Sequence, residues 1–231
     1  ATSILDQRCQ NISGGTFHSF ANITLRQYGT AIGYDKQFSI LDQSDSQDLI
    51  QMIRKNMGLN KADKRFPKKA TVLTIISKAF NTDQSIEDII INDFPQFIDY
   101  VREIELIKTK YKAYKKEMQV MDYDDLLLKL LELLETQHNI RKTLQEKFDH
   151  VLVDEYQDTN TVQAKIIQNL VGPKENIMVV GDDSQSIYAF RGANFKNIMA
   201  FPDLFPKSRV IKLEENFRST QPILDLTNTV I

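Results

Sequence analysis

Residues 151–160 read "VLVDEYQDTN": three aliphatic side chains run directly into an acid, a second acid, an aromatic, an amide and a third acid. A buried strand that opens into a catalytic site has this form, and so does a strand that ends in a polar turn. The surrounding sequence repeats the pattern. "NIMVVGDD" (176–183) is a second apolar run ending in acids, and "RVIKLEENF" (209–217) is a third. Between the first two lies "TVQAKIIQNL", with apolar residues at helical spacing, stopped by Gly172-Pro173. Short apolar runs separated by helices predict an α/β fold with buried parallel strands in a doubly wound sheet. Ligands of such sheets bind at the carboxyl ends of the strands. Here those ends carry Asp154, Glu155, Asp182, Asp183, Glu214 and Glu215.

Upstream the texture differs. Residues 28–117 read as helical, with breaks at Gly58, Pro67 and Pro95. In "SDSQDLIQMIRKNM", Ser44 and Asp45 are candidate N-caps before Leu49, Ile50, Ile53 and Met57 at helical spacing. "DFPQFIDYVREIELIKTKYKAYKKE" predicts a long helix that becomes basic towards its C-terminus, as the helix dipole favours. "MDYDDLLLKLLELLE" (121–135) predicts a buried leucine-rich helix capped by Asp122, with Asp125 at its third position.

The chain has 231 residues, 42% hydrophobic and 26% charged, with a net charge of −2. That is a soluble globular mixture without a membrane-length apolar run or a signal-peptide pattern at the N-terminus. Cys9 is the only cysteine, which excludes an internal disulfide and points to a reducing, cytoplasmic setting. His18, His138 and His150 show no metal-ligand spacing, so a zinc site is not expected. The charge is uneven. Residues 54–69 hold seven Lys or Arg against one acid, and residues 108–116 hold five Lys interleaved with Tyr111 and Tyr114. Such runs suit either a solvated helix face or contact with a phosphate backbone.

The chemistry lies at the strand ends. An Asp-Glu pair can divide its labour, one carboxylate holding magnesium through its water shell and the other polarising an attacking water. "VVGDDSQSIYAFRGA" (179–193) adds an amide, Gln185, followed by Tyr188, Phe190 and Arg191. "LEENFRSTQPILDLTN" (213–228) sets Arg218 just before a Ser-Thr cap and Pro222, near a helix N-terminus where a guanidinium can reach a phosphate. Taken singly, each segment also fits an ordinary loop, core aromatic or surface ion pair.

Taken together and in order, "GTFHSFA", "DYDDLL", "VLVDEYQDTN", "VVGDDSQSIYAFRGA" and "LEENFRST" resemble the UvrD/Rep/PcrA family of superfamily 1 DNA helicases. The resemblance implies a partial RecA-like parallel sheet with flanking helices in residues 1–27 and 118–231. It places an inserted, mostly helical subdomain at 28–117. It implies ATP and Mg²⁺ as cofactors, with Asp154 organising the metal and Glu155 activating the hydrolytic water. Gln185 would contact the γ-phosphate, Arg218 would neutralise charge on the transferred phosphoryl, and Phe217 would stack on adenine. Thr16, Phe17 and His18 would lie along single-stranded DNA, with Tyr188, Phe190 and Arg191 beside them. Single strands and single/double-strand junctions are the implied partners, and at least one of the basic runs would face the duplex.

The sequence departs from the family pattern in three places. No GxxxxGK[ST] phosphate cradle occurs in these residues. Phe190 stands where tryptophan is frequent, and Ser184 where an acid is frequent. An internal piece of a longer 3′–5′ helicase, inactive by itself, is therefore expected. The alternatives are a DNA-binding or interaction module that keeps the fold without catalysis, and the helicase part of a helicase-nuclease.

Overall fold

The computed structural model describes residues 12–59, 65–185, 196–213 and 215–230. Helices dominate. In chain order they are α1 (Phe17–Tyr28), α2 (Gln43–Asn56), α3 (Lys69–Thr82), α4 (Ile86–Asp93), α5 (Val101–Glu117), α6 (Tyr123–Thr136), α7 (His138–Lys147) and α8 (Thr161–Leu170). Two one-turn helices, α9 (Lys196–Met199) and α10 (Phe201–Leu204), precede α11 (Gln221–Val230). The strands are short: β1 (Ser39–Ile40), β2 (Val120–Met121), β3 (Val151–Val153) and β4 (Ile177–Val179). β1 pairs with β2 and β3 with β4, both parallel.

Two large apolar cores are built from helices. The first gathers Ala21 and Leu25 of α1, Tyr34, Phe38, Met121 and the leucines of α6, with Val162 and Ile166 of α8. Helix α6 is its axis because Leu126, Leu127, Leu130, Leu131, Leu133 and Leu134 bury on all but one side, against α1, α7 and α8. Its start is fixed as the sequence predicts: Asp122 caps the Asp125 N–H at 2.8 Å, and Asp125 returns a bond to the Asp122 N–H. The second core joins α2, α3, α4 and α5 through Ile50, Val72, Ile75, Ile76, Ile89, Ile90, Ile104 and Ile107. The β1–β2 pair lies where the chain passes from one core to the other and back, with Ser39 opposite Val120 and Ile40 opposite Met121.

Helix α2 begins one turn-fragment earlier than expected. Asp42, rather than Ser44 or Asp45, is its N-cap, and Asp45 sits at N3 of the capping box. Either assignment places a short oxygen side chain near the free N–H groups, and with Asp42 as cap the box closes in both directions, Asp42 accepting the Asp45 N–H at 2.8 Å and Asp45 the Asp42 N–H at 3.3 Å. The long basic helix also divides, into a 3₁₀ segment at Pro95–Tyr100, whose backbone leaves helical geometry at Phe97 (φ −112°, ψ 15°), and α5.

Burial corrects the reading of the basic runs as wholly solvated or DNA-facing. Ile104, Ile107, Tyr111 and Lys115 recur at helical spacing, so Lys115 falls on the buried stripe of α5. Only 2% exposed, its Nζ lies 2.6 Å from both Asp122 and Asp125, and the Tyr111 hydroxyl donates to Asp122 at 2.7 Å. Lys116 donates to the Ile32 and Gly33 carbonyls and stacks on Tyr34. Arg54 is buried over Phe66. Lys110 and Lys112 stay exposed.

The sheet is also smaller than expected. Val151, Val153, Ile177 and Val179 point to a third core with Tyr156, Ile167, Val171, Phe201 and Phe205. The alternate residues point the other way, leaving Leu152 68% and Met178 55% exposed. The run expected as a third buried strand forms none among the described residues: residues 209–213 are neither helix nor strand, and Leu213 is 86% exposed. Aliphatic composition favours a strand only where a ladder partner and a covered face are available.

Candidate nucleotide and nucleic-acid site

Parallel pairing sets the site. Val151, Leu152 and Val153 lie opposite Ile177, Met178 and Val179, so the two strands end side by side. The ladder continues for one more step, Val180 N–H to Val153 carbonyl and Tyr156 N–H to Val180 carbonyl, each 2.9 Å. Asp154-Glu155 therefore opens beside Gly181-Asp182. Glu155 turns the chain with φ +50°, in the left-handed region where a side chain other than glycine's is strained. The turn leads into a single 3₁₀ turn, Tyr156–Asp158, which buries Tyr156 and Gln157 and leaves both preceding acids in solvent.

Hydrogen bonds join the two strand ends. The Asp154 carboxylate accepts the Glu155 N–H at 3.0 Å. Gln157 Nε2 donates to Glu155 Oε2 at 2.7 Å, and its Oε1 accepts the Asp182 N–H at 3.1 Å. The Asp182 carboxylate then takes Gln185 Nε2 at 2.8 Å and the Ser184 N–H at 3.0 Å. Glu155 and Gln185 thus belong to one bonded set. Asp158 completes the turn, its carboxyl raised above the usual carboxylate range by burial and then by the charge of Glu155.

Asp154, Glu155 and Asp182 have no lysine or arginine partner among the described residues. The described residues also form no cluster of three or more His, Cys, Asp or Glu that would hold a metal by protein ligands alone. Magnesium asks for one or two free carboxylates, with phosphate oxygens and water filling its other positions. The exposed Asp154 carboxylate, without a cation partner among the described residues, fits that requirement.

The arginine-bearing segment is separate. Asn216 accepts the N–H groups of Arg218 and Ser219, both at 2.9 Å, in an Asx turn before α11. Phe217 is 92% exposed, and among the described residues no hydrogen bond or ion pair joins Arg218 to Asp154, Glu155 or Asp182. Tyr188, Phe190 and Arg191 lie outside the described residues.

The "TFHS" residues start α1. Thr16 is its N-cap, accepting the Ser19 N–H at 3.2 Å. Phe17 packs between the first and third cores. His18 faces a cleft of about 710 Å³ between the two helical cores, edge-on to Tyr123 at 5.8 Å. Burial lowers its pKa, favouring the neutral ring. The cleft is also lined by Asn81, Asp124, Asp158 and Asn160. Asn81 donates to Asp124 at 2.9 Å and accepts from Asn160 at 2.8 Å, so this polar wall is internally bonded. Sequence reasoning did not single out Gln157, Asp124 or Asn81. For Gln157 the available signal was its position two residues after Glu155; for Asn81 there was none.

Parallel strand ends carrying exposed acids and an amide, beside helical cores, define a mixed, mostly helical α/β protein with a candidate site at the carboxyl ends of its strands. The family comparison is specific: residues 1–206 match the UvrD/REP helicase N-terminal domain, and the chain belongs to that family. It is 36% identical to the ATP-dependent DNA helicase PcrA of Leuconostoc citreum over its whole length, covering 30% of that protein. It is 39% identical to DNA helicase II of Haemophilus influenzae, with 94% of this chain and 29% of that protein aligned. A PcrA of Staphylococcus epidermidis is 34% identical over 99% of this chain. The chain thus spans about 30% of the length of the curated relatives it matches. No helix among the described residues is long and apolar enough to cross a membrane.

Proposed function

We propose that this chain is part of the motor of an ATP-dependent DNA helicase that moves 3′ to 5′ on single-stranded DNA and opens duplex at junctions, in the cytoplasm. The observation that carries the reading is the bonded set Glu155–Gln157–Asp182–Gln185 at two adjoining strand ends, beside free acids. A structural turn needs no such arrangement of uncompensated carboxylates.

In this reading Asp154 holds Mg²⁺, which when bound screens phosphate charge. Glu155 accepts a proton from the attacking water, and Gln185 offers its amide to the terminal phosphate. Phe217, exposed, is free to stack on a base, and Arg218 to approach a phosphoryl group from the Asx turn. Of the residues assigned to the DNA path, His18 presents its ring to the open cleft, while Thr16 and Phe17 shape the start of α1. Tyr188, Phe190 and Arg191 would serve the same strand. Residues 28–117 act as the inserted helical subdomain, and Lys110 and Lys112 are its exposed cations on α5 suited to backbone phosphates. The phosphate cradle is supplied from sequence outside these 231 residues, so the piece alone turns over ATP negligibly.

The test is ATP hydrolysis by the full-length parent protein with and without single-stranded oligonucleotide. Turnover that rises with the oligonucleotide supports a motor. Oligonucleotide binding without turnover would leave a binding module on a helicase fold.

A further inference from the structure

We propose that Gln157 is the positioning residue of the hydrolytic base, clamping the Glu155 carboxylate at the end of β3 to the backbone at the end of β4, and that Gly181 is the residue that makes room for the clamp. The proposal rests on the reading of Glu155 as that base.

The amide of Gln157 has two unlike ends, and the site uses both. Its Nε2 points to the Glu155 carboxylate at 2.7 Å, and its Oε1 to the Asp182 N–H at 3.1 Å. Rotating the amide by half a turn would set oxygen against carboxylate and NH₂ against N–H, so one orientation is enforced. Gln157 is 1% exposed, hence fixed by packing, whereas Glu155 is exposed on a left-handed residue, and among the described residues Gln157 is the hydrogen-bond partner of its side chain. A base must stay within hydrogen-bond reach of one water. The clamp removes the freedom that would carry it away.

Gly181 supplies the independent observation. A Cβ there would lie 2.5 Å from Gln157 Oε1, 2.8 Å from Ile198 Cδ1 and 3.3 Å from the Gln157 nitrogen. Backbone and amide approach so closely that no other residue fits without displacing Gln157. Because the Asp182 carboxylate also holds Gln185 and the Ser184 N–H, the clamp fixes the base and the loop bearing the amide sensor in one frame.

The experiment uses the full-length parent protein with two readouts, single-strand-stimulated ATP turnover and hydrogen exchange at the Asp182 amide. Gln157→Leu should lower kcat by on the order of 10²-fold, the scale of a base misplaced by about 1 Å, with KM for ATP little changed. It should also speed exchange at Asp182 roughly tenfold, the loss of one hydrogen bond. Gln157→Glu keeps an acceptor for Asp182 but offers Glu155 a like charge, so Asp182 stays protected while kcat falls. Only a positioning role separates the two readouts in this way. Gly181→Ala, with Gln157 intact, should reproduce both losses and guards against a folding defect particular to position 157. Wild-type kcat in Gln157→Leu, or unchanged Asp182 exchange, overturns the clamp and leaves the hydrolytic reading standing. A wild-type parent without ATP turnover overturns the reading of Glu155 and the positioning role with it.

Discussion

The helical cores and the β3–β4 sheet are built to different degrees of closure. Ile76, Ile90, Ile104 and Ile107 are fully enclosed by four helices, each of which satisfies its own backbone. The two strands have a covered face and a face bearing exposed Leu152 and Met178. A parallel strand needs neighbours in its ladder and a layer on each face, whereas a helix needs only one buried stripe. Closure therefore falls to the helices, and openness falls where the acids and the amide clamp sit. The scaffold is rigid on one side of the site and accessible on the other.

The sharpest way to break that contrast is Lys115→Ala. It strands Asp122 and Asp125 inside the helical junction and should cost about 3–5 kcal/mol in urea unfolding. A loss under about 1 kcal/mol would mean the junction admits water and is not closed. Next comes a matched pair. Ile104→Ala should cost about 2–5 kcal/mol, and Leu213→Ala less than about 0.5 kcal/mol in this chain. Equal losses would show that the 209–213 run is covered after all. Asp42→Ala, which removes one half of a capping box, should cost about 1 kcal/mol.

The smallest effect is a pH dependence. Burial raises the Asp124 carboxyl, so the folded state holds its proton more tightly than the unfolded state. Its stabilisation is present below the ordinary carboxylate pKa and is lost as pH rises through the raised value. Asp124→Asn should therefore gain stability relative to wild type as pH rises above the ordinary carboxylate value of about 4, read from melting temperatures at successive pH. A difference independent of pH would place Asp124 in water.

Much of this was legible in the sequence, for identifiable reasons. The cap of α6 is local, its two residues three apart, and the pattern around Asp122 and Asp125 states its partner outright. The two acidic strand ends follow from short aliphatic runs flanked by helices, and the ordered motifs pointed to the family. The third run misled because its residues satisfy strand composition while the ladder that would recruit them is non-local. Lys115 was hidden by its setting: five lysines in nine residues read as a solvated face, although Ile104, Ile107 and Tyr111 already marked its stripe. Of the Gln157 clamp only the half two residues from Glu155 is local; its second partner, Asp182, lies 25 residues away.

The central claim is that Glu155 is the base of a DNA-dependent ATP hydrolase. Its most direct test is Glu155→Gln in the full-length parent, assayed for ATP turnover in saturating single-stranded oligonucleotide. The expected result is a fall in kcat of at least about 10²-fold with nucleotide and oligonucleotide binding retained. Turnover at the wild-type rate would contradict the account and return the acids after "VLV" to a polar turn.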